Sequence, residues 1–190
     1  MHIQEKHSST SINSRHVNYT ILKARGSDLM FMDEIEKKHF LDMLLGVQGH
    51  FSMEVFAYCV LDGEAHILNG DPRKETQDAV WGSLGKEFAS YQERKHGKKM
   101  PEISTESTEV GILENWQLLR ECIKLQQLPV LRERVQDAED YWWSSLREYM
   151  LRHPSGIVQE EQLLKLLDGN RKKAIYKFRR LQREAARIEL

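Results

Sequence analysis

Apolar positions in this chain recur with a period near two in some stretches and near 3.6 in others. The switches between them predict the order strand, helix, strand, strand, helix. Residues 17–24 read as a first strand ending in Arg25-Gly26. Asp33 suits an N-cap, with Glu36 three residues later as in a capping box. A helix over 34–47 then buries Phe40, Leu41, Leu44 and Leu45. Residues 53–61 are rich in β-formers and read as a buried strand. Asp62-Gly63 is a tight-hairpin signal, and 64–68 is the returning strand. A loop over 69–73 leads to a second helix over 75–95, with Val80, Leu84, Phe88 and Tyr91 near one face. Gly82 and Gly85 weaken that helix. Residues 96–108 are polar and read as irregular. A third helix over 113–128 carries Trp116, Leu119 and Ile123 and stops at Pro129. Residues 137–151 form a short aromatic segment, and 153–156 form a linker. Residues 157–190 read as two helices split at Asp168-Gly169-Asn170. No internal repeat is visible. The pattern is that of an α+β fold, an antiparallel sheet with helices packed on it.

The 190 residues suffice for one domain and an appendage. The expected division is a disordered segment over 1–14, an α+β domain over 15–152 and a basic helical extension over 153–190. The 28 basic and 29 acidic residues balance, which excludes a protein basic over its whole surface. The balance hides local asymmetry. Residues 165–190 carry nine bases against three acids, a local charge of +6, while 102–114 carry four acids and no base. An acidic stretch repels a phosphate backbone, so nucleic-acid contact is expected on the C-terminal helices, through Arg171, Lys172, Lys173, Lys177, Arg179 and Arg180. Cys59 and Cys122 fall in apolar elements and read as reduced core thiols. The chain shows no membrane span and no secretory signal, so the expected location is cytoplasmic.

Side chains alternate along a strand, so Glu64 and His66 share a face. A carboxylate beside an imidazole could hold a divalent cation. Arg25, at the end of a strand, is a candidate phosphate contact. Trp142 and Trp143 read as packing residues before base-stacking ones.

Several motifs in order carry a resemblance. Ala24-Arg25-Gly26, then Phe31-Met32-Asp33 and Phe40-Leu41, are followed by the Glu64-Ala65-His66 strand. Pro129-Val130 and then Asp140-Tyr141-Trp142-Trp143-Ser144-Ser145 follow, with the helical tail after them. Over residues 19–185 the chain resembles the REP-associated tyrosine transposases, relatives of the insertion-sequence-200-like, His-hydrophobic-His enzymes.

The resemblance implies a ferredoxin-like transposase core, a homodimer and DNA as partner, single-stranded or hairpin. It also implies a magnesium or manganese ion that polarises a scissile phosphate, and a helix-borne tyrosine that attacks it. Glu64 stands where the first metal histidine belongs, and His66 keeps the second position. Aligned without gaps, the nucleophile position falls on Phe88, which has no hydroxyl. Tyr91 is the nearby substitute, and Gln92 is the candidate third metal ligand. The helix over 88–92 is expected to pack over the face bearing Glu64 and His66. Two readings follow: an impaired transposase that cuts and rejoins DNA, or an inactive descendant that binds DNA or serves as an interaction module.

Overall fold

The computed structural model describes residues 14–70, 73–151 and 155–188. Most of the expected disordered segment lies outside the described residues, as do His153 and Pro154 of the expected linker. The first strand, β1 (Ser14–Ala24), is central in a four-stranded sheet. The helix α1 (Glu34–Phe51) follows, and Asp33 caps it by accepting a hydrogen bond from the Glu36 amide. β2 (Glu54–Val60) and β3 (Glu64–Gly70) form the predicted hairpin. The helix α2 (Lys74–His96) leads to β4 (Ile103–Glu114).

All strand pairs are antiparallel and the order is β2-β3-β1-β4. This is the βαββαβ ferredoxin-like arrangement. β4 corrects the sequence reading of 96–108 as irregular. Most of its residues are exposed, so it presents no buried apolar row for a period-two pattern to reveal. Its support is the ladder to β1, interrupted by a bulge at Val17/Asn18, where Gly111 takes a φ of 122°.

The β2 edge is covered. Val60 N–H donates to the Trp143 carbonyl, and Ser145 N–H donates to the Tyr58 carbonyl. The hairpin glycine serves a purpose other than turn handedness. Gly63 does not have a positive φ, but a Cβ there would sit 2.6 Å from the backbone oxygen of Asp28. The amides of Met30 and Phe31 both donate to the Asp62 carbonyl, and these bonds draw that loop onto the hairpin.

The two sheet faces are covered by different helices. α2 meets the face of Thr20, Ile67 and Asn69. Asn69 donates to Gln77 Oε1 at 2.9 Å, and so does the Trp81 indole at 2.8 Å. Phe88 joins Phe31 and Phe40 in an aromatic cluster between α1 and α2. The opposite face, with Tyr19 and Leu68, is covered by α3 (Asn115–Gln126). Leu118, Leu119 and Cys122 are buried there.

α4 (Leu128–Leu131) and α5 (Leu146–Met150) are short. The extension supplies α6 (Glu160–Leu167) and α7 (Arg171–Ile188), split where the sequence indicated. α7 packs back on α3 and α5. The Tyr149 and Phe178 rings stack at 4.9 Å, and Gln182 bonds with Gln126 and Gln127 at 2.5 Å each. Cys59 and Cys122 are free and buried.

Candidate functional site

The register of β1 against β3 builds the site. Lys23 pairs with Glu64, Ile21 with His66 and Tyr19 with Leu68, so Tyr19, Lys23, Glu64 and His66 share one face. The Tyr19 hydroxyl lies 2.6 Å from His66 Nδ1. His66 Nε2 lies 2.8 Å from Glu64 Oε1 but off the line of a hydrogen bond, and it makes no other among the described residues. Lys23 Nζ is 3.2 Å from Glu64 Oε2. Arg132, just beyond α4, brings its guanidinium to 3.1 Å from Glu64 Oε1. A groove of about 450 Å3, lined by Lys23, Glu64, Arg132 and Arg134, opens beside the cluster.

The electrostatics follow from this crowding. Burial raises the Glu64 carboxyl, but His66 and Lys23 outweigh it and hold the group below the usual glutamate range. Burial pulls the His66 imidazole down, against the upward pull of Glu64, so it stays neutral more readily than a free histidine. Burial and then the Glu64 charge push the Tyr19 phenol up to about 12. The phenol is therefore protonated at neutral pH.

Other sequence candidates lie elsewhere. The expectation that the helix of residues 88–92 packs over Glu64 and His66 is corrected: α2 covers the opposite face. The period of a helix shows which of its own sides is apolar, not which side of the sheet it covers. Gln92 is buried there and donates to the Met30 carbonyl and to Glu36 Oε2, both at 2.9 Å. Glu36 also lies 2.6 Å from His96 Nε2 and 3.1 Å from Lys95 Nζ. Tyr91 stacks on His39 with ring centroids 3.9 Å apart. The helix that does lie over the Glu64 face, α3, contains no tyrosine.

For a divalent ion this cluster offers few ligands. The structure brings together one carboxylate and one imidazole, and the carboxylate oxygens already face Lys23 and Arg132. Among the described residues, no group of three or more His, Cys, Asp or Glu side chains could hold a metal. Tyr19, Lys23 and Arg132 were missed in the sequence. Alternation along 17–24 places Tyr19 and Lys23 on a common face, but no local signal carries Arg132 across 68 positions to Glu64.

The basic tail divides in two. Arg171 donates to the Leu151 carbonyl and pairs with Glu160, and Arg179 pairs with Glu139 at 2.7 Å. These two arginines tie α7 to the body. Lys172, Lys173 and Arg180 project outward, while Lys177 is exposed but donates to the Leu167 carbonyl at 2.7 Å and to Asp168 at 2.9 Å. Arg25 sits at the sheet end, 3.4 Å from Glu102. Trp143 packs against the core, while Trp142 is exposed with the Arg147 guanidinium 3.5 Å above its ring. No helix among the described residues is long and apolar enough to cross a membrane.

No family model matches the chain, and no curated protein matches it. Among solved structures, it is similar to a REP-associated tyrosine transposase bound to a REP hairpin. That match has 14% identity and a TM-score of 0.55, covering 85% of this chain and 90% of the other. The likeness shows a shared transposase-like fold, in keeping with the antiparallel sheet and helices described above.

Proposed function

We propose that this protein is a DNA-binding module on a tyrosine-transposase-like fold, which holds hairpin or single-stranded DNA without cutting it and without a metal. One observation carries the reading: Lys23 and Arg132 occupy both oxygens of Glu64. Positive charge that a bound magnesium or manganese would bring is supplied here by side chains. Lys23, Arg132 and Arg134 border one groove, outnumbering its acids Asp28 and Glu64, and give a DNA phosphate its counter-charge without a hydrated ion. The outward bases of α7 extend that charge, and the acidic edge strand β4 contributes nothing to it.

The geometry favours this over strand cleavage, because the helix above the cluster lacks a tyrosine and Tyr91 lies on the other side. A second reading rests on Tyr19, whose hydroxyl meets His66. Residual phosphoryl transfer, if present, uses Tyr19. The homodimer implied by the resemblance belongs to the same proposal, and β4, which among the described residues pairs only with β1, is the edge strand it would use.

The test is fluorescence anisotropy of a labelled DNA hairpin with the full chain in EDTA, across a range of salt. Binding is expected, with affinity falling as salt rises. Charge reversal at Lys172 and Lys177 should flatten the log–log slope by just under one for each phosphate that is no longer neutralised. No binding, or a slope untouched by charge reversal, overturns the reading.

A further inference from the structure

Two large aromatic side chains stand in solvent where α3 and α7 meet. Trp116 of α3 is 55% exposed and Tyr176 of α7 is 71% exposed. The sequence placed Trp116 on its helix with Leu119 and Ile123. In the structure α3 buries Leu119 and Ile123, with Leu118 and Cys122, and leaves the indole outside. Both rings line one groove of about 490 Å3, together with Lys173, Lys177 and Arg180. A second groove of about 720 Å3 shares Trp116 and Leu181 with the first and adds Arg120 and Lys124. The two grooves carry five basic side chains and one acidic one, Glu184.

Helical spacing makes this a continuous face. Lys173, Tyr176, Lys177 and Arg180 recur at i, i+3, i+4 and i+7, while Ala174, Phe178 and Gln182 turn inward. Trp116, Arg120 and Lys124 recur every four residues along α3. Arg120 and Lys173 form no ion pair among the described residues. Lys124, Lys177 and Arg180 pair with Glu121, Asp168 and Glu184 at the surface, where such pairs contribute little and exchange readily.

We propose that this face is a stacking platform for the unpaired bases of single-stranded nucleic acid. The proposal rests on the DNA-binding reading above and specifies which part of the ligand this face takes. Unpaired bases offer π-faces to Trp116 and Tyr176, and the flanking lysines and arginines follow the phosphates between them. A duplex keeps its base faces stacked inside and offers no such surface. An acidic protein segment would satisfy the cations but leave the two rings without planar partners.

The test uses the full chain with three ligands: oligothymidine, an abasic strand of equal length and a blunt DNA hairpin whose loop is abasic. Binding is read by anisotropy, and contact with the indole by quenching of tryptophan fluorescence. Oligothymidine is expected to bind more tightly than the abasic strand and to quench. Trp116→Ala and Tyr176→Ala should each weaken oligothymidine by about tenfold and leave the hairpin unaffected. Trp116→Phe should restore most of the affinity. Both side chains are exposed, so folding is expected to persist, and circular dichroism checks it. If the hairpin binds but oligothymidine and the abasic strand bind alike, the platform is overturned while the DNA-binding reading survives. If no nucleic acid binds, both fail. If the substitutions instead convert a dimer to a monomer in sedimentation, the face is a contact between copies and the proposal is overturned.

Discussion

The Arg132 guanidinium lies 3.1 Å from Glu64 Oε1, the same carboxylate oxygen that faces His66 Nε2 at 2.8 Å. The stability of the protein should therefore be indifferent to metal. A native-state ligand at a hundredfold excess over its Kd stabilises by about 2.7 kcal/mol. Thermal unfolding in EDTA and in millimolar manganese is expected to give the same Tm. A rise of several degrees that disappears in His66→Ala would show that the cluster takes a metal after all.

His66 makes stability depend on pH with a definite sign. Its folded pKa lies below the ordinary value of 6.5 because of burial. The unfolded chain therefore takes up the proton first. This contribution is fully present above the ordinary value, and it is lost as pH falls from there to the folded pKa. Urea melts across that window should show wild type losing more stability than His66→Gln. Equal losses would remove His66 from the account.

Gln92 is expected to be structural. Its amide serves the Met30 carbonyl and buried Glu36, so Gln92→Ala leaves acceptors short of a donor at a cost of about 1–3 kcal/mol. Denaturant melts should show that loss, and hairpin affinity under native conditions should be unchanged. A variant of normal stability that no longer binds DNA would return Gln92 to the binding site.

Gly63→Ala should destabilise although the backbone there is ordinary for an L-residue. The new Cβ would meet the Asp28 oxygen at 2.6 Å, and the hydrogen bonds of Met30 and Phe31 to Asp62 hold the loop against the hairpin. Overpacking of this kind costs about 1–3 kcal/mol. A melt within error of wild type would mean that the loop yields freely.

The βαββα order, the hairpin and the shared face of Glu64 and His66 were legible because each rests on a local period. β4 was not, since its Ser, Thr and Glu residues face solvent and its order comes from the backbone of β1. Phe88 and Gln92 lie on the side opposite to the expected one because an amphipathic helix does not encode which sheet face receives it. Trp116 shares a helix stripe with Leu119 and Ile123, which are buried, yet its own indole is exposed at the helix start, and no local period marks that difference. The partnership of Glu64 with Arg132 spans most of the fold and leaves no local mark.

The central claim is metal-free DNA binding without strand cleavage, and one mixture tests it. The full chain is incubated with a labelled hairpin in EDTA or in manganese, and each sample is read by native and by denaturing gel. The account predicts the same native shift in both samples and no shifted band after denaturation. A covalent DNA–protein band that appears only with manganese would contradict it.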